Sequence, residues 1–417
     1  MPPAILYQAG KDTAGVRASK DVPDVMDAVV ALGCDKETKK PLGYEFRKNY
    51  RTPAVGEGEV LLKVEYSGIC HTDLLCLDGI LVRKGPRVPG HEFDGEIVAV
   101  GPGVGDNLLG KKMLALALYG GKGKQPNLDK NCVFTGVAVD GGFAQYFKIG
   151  AGYLVAIPEG ITTRQAFAAG DALMTSRHAV SDILEKYNPN ERLRVVVYGA
   201  TGGLGVATIL NLIADIRPED ICAVDIRQQH LDRLAEVLGV KTLNSEGRPV
   251  ADRIKEVTGG QVDAVIDCFG SGGNIKKAYA TLEQLAKAGV GDGEGQLNVK
   301  SFKTLLEQQF SQTGTINDAL QVVRRGGDIR VIGSRGDHLL YPTGNFMANE
   351  MSLSGPWGGC PDDAEVVLSL IKGESISQAG LELLLGKELQ FTQEGFDEGV
   401  RALRASEVMG RIFFKVD

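Results

Sequence analysis

Leu193-Arg194-Val195-Val196-Val197-Tyr198 is a compact run of strand formers. It passes directly into Gly199-Ala200-Thr201-Gly202-Gly203-Leu204-Gly205, and a helical pattern follows from Val206 to Ala214. A strand ended by a glycine-rich turn that opens a helix predicts one unit of a doubly wound parallel sheet. The next strand-like run, Ile221 to Asp225, ends on a carboxylate. The interval from Gly205 to Asp225 suits a carboxylate binding the adenosine ribose of a dinucleotide. The glycines let the backbone approach a pyrophosphate, and the helix N-terminus offers it unsatisfied N–H groups. Ala200 stands where the usual GxGxxG pattern has its first glycine, and a methyl group fits that turn. Asp225 would repel a 2′-phosphate, which favours NAD over NADP, whereas Arg227 close behind it argues the other way. The plainer reading is a tight turn with no ligand.

The same alternation continues downstream. Gln228 to Leu238 reads as a helix, Val262 to Cys268 as a strand, and Ile329 to Gly333 as a strand after an Arg324-Arg325-Gly326-Gly327 turn. Met351 to Gly355 reads as the last strand of this series. The stretch after Tyr279 interrupts the rhythm, with a Gly289 to Gly295 loop and a helix bearing Phe302, Leu305, Leu306 and Phe310. The C-terminal stretch reads as a helix with Phe396, Val400 and Leu403, then a strand from Gly410 to Val416.

The first half has a different texture. Residues 1–58 read as a lead-in in which Val22, Val25, Met26, Val29 and Val30 fall at helical spacing, with Asp21 as cap, Pro23 near the start and Gly33 after the end. From Glu59 short strands follow between glycine-rich turns: Val60 to Tyr66, Phe93 to Gly101, Lys111 to Leu118, Gly141 to Ile149 and Leu154 to Ile157. Closely spaced strands of this kind predict a small β-barrel. Residues 161–189 then read as helical. Cys70 and His91 sit just after one strand and just before another, each near a carboxylate, Asp73 and Glu92. A soft thiolate and an imidazole suggest a metal, but two ligands do not make a site.

A length of 417 residues favours two or three domains. The net charge of −7 argues against a broad nucleic-acid surface. No apolar run reaches the ~18 residues of a membrane span, and Met1 to Tyr7 lacks a signal-peptide layout. Seven scattered cysteines argue against a disulfide framework and suit a reducing, cytoplasmic setting.

Taken together, the segments GEVLLKVEYSGICHTDL, RVPGHEFDGEIVAVGPGV, GVAVDGGFAQY, VVVYGATGGLG, AVDIRQQHLDRLAEVLG and VDAVIDCFGS resemble the zinc-dependent medium-chain alcohol dehydrogenases. RRGGDIRVIGS, EMSLSGPWGG and MGRIFFKV extend the likeness over residues 45–280 and 315–417. The resemblance implies an α/β protein: a GroES-like β-barrel catalytic domain over 1–185, completed by 358–417, and a doubly wound Rossmann domain over 186–357 with an insertion near 281–315. It implies hydride transfer between an alcohol and NAD, a small-molecule substrate, and a homo-oligomer, dimer or tetramer. The alternative on the same fold is a zinc-free NAD(P)H-dependent enoyl or quinone reductase.

Carried over by residue, the resemblance makes Cys70 and His91 zinc ligands and places the third, often a cysteine, at Asp171. Glu92 is an occasional ligand, and Asp73 would orient His91. Thr72 is the proton-relay hydroxyl, but the histidine that often ends the relay is Leu75 here. His71 and Arg411 would contact the pyrophosphate, and Thr175 the nicotinamide carboxamide. Gly199, Thr201, Gly202, Gly203, Leu204, Gly205 and Asp225 complete the cofactor site. Many relatives also carry a four-cysteine structural zinc lobe. The corresponding stretch, Tyr119 to Asn127 and beyond, retains only Cys132, so one catalytic zinc and no structural zinc is expected. His178 reads as a structural histidine, Trp357 as domain packing, and Cys222 and Cys268 as inert core thiols.

Overall fold

In a computed structural model of the protein, the Gly199 turn follows a strand of a six-stranded parallel sheet. The structure describes residues 15–19, 21–82, 84–123, 125–246, 250–270, 314–333 and 343–416. The expected insertion helix with Phe302 to Phe310 lies outside them. Chain contacts divide the molecule into two units, Met1–His178 with Trp357–Asp417, and Ala179–Pro356.

The second unit holds the parallel sheet. Its order is Lys241–Asn244, Ile221–Asp225, Val195–Tyr198, Val262–Asp267, Val323–Val331 and Ser352–Ser354. In chain order that is 3-2-1-4-5-6, the doubly wound arrangement. Val195–Tyr198, Ile221–Asp225 and Val262–Asp267 are buried along their whole length, as expected when helices cover both faces of a sheet. The Arg324 to Gly327 turn is not a separate loop. It lies inside the strand Val323–Val331, where the register jumps from Val262–Val323 to Ala264–Asp328. Gly326, at φ 69°, accommodates this bulge.

The first unit is built on a sheet that is antiparallel except for its last pair, Lys387–Gln390 with Ile412–Lys415, which is parallel. Its spine runs Leu154–Ala156, Lys112–Ala115, Glu92–Val100, Glu59–Ile69, Ile412–Lys415 and Lys387–Gln390. Tyr146–Gly150 also pairs with Glu59–Ile69. A segment from far downstream thus closes against the strand that leads to Cys70, with Ile412 opposite Ile69. Phe143, Phe396 and Phe414 fill the core beneath. Phe396 and Phe414 stack at 5.2 Å, and Phe143 meets Phe396 edge-on at 5.1 Å.

The expected N-terminal helix is a strand. Val25–Gly33 pairs with Tyr44–Arg51 and with Lys84–Arg87. Val25, Met26, Val29 and Val30 have helical spacing, but Val29-Val30-Ala31 is continuous, and burial extends over both faces of the element. β-branched residues packed between two partners prefer an extended chain. The alternation of Tyr44, Phe46 and Tyr50 in the partner strand is the signal available in the sequence. The helical region after residue 161 is also two helices, Thr163–Ala168 and Asp171–Leu184, broken at Gly170. Among the described residues no helix is long and apolar enough to cross a membrane.

Phe414 is fully buried. Replacing it with Ala is expected to destabilise the first unit by about 3–5 kcal/mol, the usual cost of an aromatic cavity. Urea denaturation followed by far-UV circular dichroism measures this as a lowered midpoint.

Candidate metal centre and nucleotide site

Register brings the two separated ligand candidates together. Glu59–Ile69 and Glu92–Val100 run antiparallel with Gly68 opposite Glu92. Cys70, just past one strand, therefore faces the segment of His91, just before the other. Cys70 is extended (φ −115°, ψ 163°) and caps the helix His71–Leu77. Gly90 sits at φ +97°, and a Cβ there would lie 2.7 Å from the Phe143 amide nitrogen, so only glycine delivers His91 to this place.

Asp73 fixes both sides. One oxygen accepts the Cys70 amide at 2.8 Å. The other accepts the Gly90 amide at 3.2 Å and lies 3.1 Å from His91 Nδ1. With Nδ1 committed to Asp73, Nε2 of His91 turns inward. Nε2 is 3.8 Å from Asp171 Oδ2 and 3.7 Å from Glu92 Oε1. Asp171 is the first residue of its helix, and the Thr175 hydroxyl one turn on donates to its Oδ1 at 3.1 Å.

One donor atom each from Cys70, His91, Glu92 and Asp171 lies within 4.8 Å of the others. Glu92 Oε1 is buried and has no hydrogen-bond partner. A thiol, an imidazole and two carboxylates converging, with both carboxylates beyond hydrogen-bond distance of His91 Nε2, suit a tetrahedral zinc ion. Burial pushes the Glu92 carboxyl up to about 7, with Arg411 acting against the rise and Asp171 adding to it. Burial disfavours a charged His91, but Asp73, Cys70 and Asp171 outweigh it and push the imidazole up. Arg411 is itself buried, and its guanidinium lies on Glu92. No local sequence pattern signals this pairing; it follows from the strand pairing of Ile412 with Ile69. His71 is exposed at the first position of its helix, and Thr72 Oγ1 is 3.9 Å from Cys70 Sγ. Leu75 is exposed. Phe134 meets the His91 ring edge-on at 5.3 Å, and Trp357, which is half exposed, meets Phe134 at 6.1 Å.

Of the nucleotide candidates, Gly199 to Gly205 and Asp225 lie in the second unit, and His71, Thr175 and Arg411 in the first. Gly202 precedes the helix Gly203–Ile213 and brings no side-chain cap. A Cβ on Gly202 would come no closer than 3.5 Å to any neighbour, so the space over the turn is open. A Cβ on Gly205 would lie 2.1 Å from the Gly199 carbonyl oxygen, so helix and strand approach here only through glycine. Asp225 is buried and accepts hydrogen bonds from the Thr201 amide (3.0 Å) and hydroxyl (2.8 Å). Its other oxygen takes the Ile226 amide at 2.8 Å and pairs with Arg227 Nε at 3.4 Å. Burial alone would raise this carboxyl, but the Thr201 bonds and Arg227 hold it below its usual value. Open space above glycine amides beside an ionised carboxylate fits a dinucleotide. Burial pushes the Cys222 and Cys268 thiols up to about 12, consistent with inert cysteines.

Comparison with known proteins agrees with this arrangement. Residues 56–159 match the alcohol dehydrogenase GroES-like domain. An alcohol dehydrogenase of Geobacillus stearothermophilus is 32% identical over 259 residues, covering 60% of this chain and 73% of that protein. The chain belongs to the zinc-dependent medium-chain alcohol dehydrogenase family. An NAD-dependent alcohol dehydrogenase of Sulfolobus acidocaldarius is 28% identical over 249 residues, covering 56% of this chain and 70% of that one. The solved 2R,3R-butanediol dehydrogenase of Bacillus subtilis superposes with a TM-score of 0.70 at 21% identity, covering 94% of this chain and 100% of that one; the likeness establishes the fold. The alcohol dehydrogenase fold thus accounts for both halves of the chain, the GroES-like barrel and the Rossmann sheet.

Asp73→Asn keeps the size of the side chain but removes the charge facing His91. It is expected to weaken zinc binding by about 10–100-fold, the usual effect of losing a partner behind a ligand histidine. Competition with a chromophoric chelator measures the change.

Proposed function

We propose that this chain interconverts an alcohol and an aldehyde or ketone, using NAD and one catalytic zinc held by Cys70, His91 and Asp171. The observation that supports it most is the convergence of these three donors beside a buried Glu92 oxygen that no hydrogen bond satisfies. Zinc bound there acts as a Lewis acid toward an alcohol or carbonyl oxygen. NAD, when bound, supplies the hydride chemistry.

The protein's own groups set the stage for both. The Asp73 carboxylate keeps the His91 proton on Nδ1. Thr175 orients the Asp171 carboxylate through its hydroxyl. Arg411 offsets the charge of Glu92 in a buried setting where an isolated carboxylate would be costly. Thr72, next to Cys70 in space, holds the substrate's hydroxyl proton. Leu75 cannot pass that proton on, so it leaves through water, the cofactor ribose or another residue. In the second unit Gly199, Thr201, Gly202, Gly203, Leu204 and Gly205 form the pyrophosphate turn. Asp225 binds the ribose, and its ionised state supports NAD over NADP. His71 and Arg411 take the pyrophosphate role, and Thr175 the carboxamide role. The Ser352–Ser354 strand ends its sheet with one edge unpaired among the described residues, which supports assembly of a dimer or tetramer.

The direct test is a screen of alcohols, polyols and aldehydes that follows NADH absorbance with zinc-loaded protein. Turnover abolished by a strong chelator and restored by zinc is expected. Turnover that survives complete zinc removal would instead support the zinc-free reductase, which the ligand set and the relatives do not favour.

Asp171→Ala is expected to lose zinc and to lower turnover by about three orders of magnitude, corresponding to ~4 kcal/mol of metal activation. NADH binding, read by fluorescence titration, should stay unchanged. Asp225→Ala is expected to shrink the preference for NAD over NADP by about tenfold or more, ~1.4 kcal/mol, read as the ratio of the two kcat/KM values.

A further inference from the structure

A second group of ligating side chains converges away from the centre described above. His178 lies two turns past Asp171 on the helix Asp171–Leu184, about 10 Å along it. Cys360 precedes the helix Pro361–Lys372, and Asp363 is in its first turn. Asp363 Oδ2 accepts the Cys360 amide at 2.8 Å and lies 3.1 Å from His178 Nδ1. One donor atom each from His178, Cys360 and Asp363 lies within 4.8 Å of the others. Asn127, itself buried, places Oδ1 3.3 Å from Cys360 Sγ.

We propose that His178, Cys360 and Asp363 bind a second divalent cation of the zinc class, with the Asn127 amide oxygen as a fourth donor. A thiolate and a carboxylate balance the charge of a zinc ion, and imidazole and amide oxygen complete four donors without further charge. Reciprocal helix capping, in which the Cys360 sulfur faces the Asp363 amide and Asp363 accepts the Cys360 amide, accounts for that pair but not for the set. Capping calls for Ser, Thr, Asp or Asn rather than a thiol, and needs no histidine. Without a metal, His178 pairs with Asp363 and the Cys360 thiol donates to Asn127 Oδ1; a cation would replace the thiol proton and draw on both pairs at once. The cation would tie the helix that begins at Asp171 to the segment Trp357 to Cys360, which Asn127 also holds through its amide bond to the Trp357 carbonyl at 2.7 Å. It would be a structural clamp on the helix carrying a catalytic ligand, with Asn127 drawn from the stretch that corresponds to the four-cysteine lobe and the other three donors from outside it.

The test is metal content. Full-length protein is stripped with chelator, reloaded with zinc, freed of excess by gel filtration and analysed by mass spectrometry, with circular dichroism confirming the fold. Two zinc ions per chain are expected for the unmodified protein. One is expected for Cys360→Ser, for His178→Ala and for Cys70→Ser, and none for the double variant Cys70→Ser/Cys360→Ser. With cobalt(II) in place of zinc, Cys70→Ser should retain thiolate-to-cobalt absorption that Cys360→Ser then removes. A single zinc per chain that is unchanged in both Cys360→Ser and His178→Ala would overturn the proposal. So would a second zinc that survives both substitutions.

Discussion

One carboxylate holds the proposed metal centre in shape. Asp73 is almost fully buried, and its two oxygens take the Cys70 amide, the Gly90 amide and the Nδ1 side of His91. The two strands that end here could place Cys70 and His91 near one another without it. They could not fix the rotation of the imidazole or the direction of the thiol. A buried carboxylate with three partners is rigid because every departure leaves a donor or acceptor unsatisfied in a poorly solvated place. The remaining donors depend on that rigidity. Asp171 arrives from a helix N-terminus, and Arg411 arrives just ahead of the strand Ile412–Lys415.

Asp225 does in the second unit what Asp73 does in the first. It joins the end of one strand to the glycine turn of its neighbour through Thr201. The carboxylate proposed to bind the ribose is thus already held in place by the protein's own donors. Its ionised state is a consequence of those donors, and the nucleotide preference proposed for it rests on the same bonds.

How much of this is legible in the sequence depends on the range of the interaction. The Gly199 to Gly205 turn and Asp225 are local patterns whose spacing follows from one strand–turn–helix–strand unit, and the doubly wound sheet is readable from them. Cys70, His91 and Asp171 are readable because a family resemblance supplies long-range information that spacing lacks. Asp171 in particular looks like an ordinary helix-opening acid until His91 is placed beside it. Val25–Gly33 defeats a local reading because helical spacing and a buried run coincide there. The deciding factor is a pair of partner strands, of which Lys84–Arg87 lies far along the chain. The Arg411–Glu92 contact and the His178–Cys360–Asp363 group have no local signal, since each joins residues that only the folded topology brings together.

The closing strand Ile412–Lys415 has a further consequence for the order of assembly. During synthesis the second unit is complete, as one unbroken stretch, before the residues that finish the first have been made. The barrel that carries Cys70 and His91 must therefore wait with an open edge on Glu59–Ile69 until the closing strand arrives. Arg411 enters with that strand, so Glu92 gains its counter-charge only then. The Rossmann unit can mature early, whereas the proposed metal centre becomes chemically balanced only once this late segment is in place.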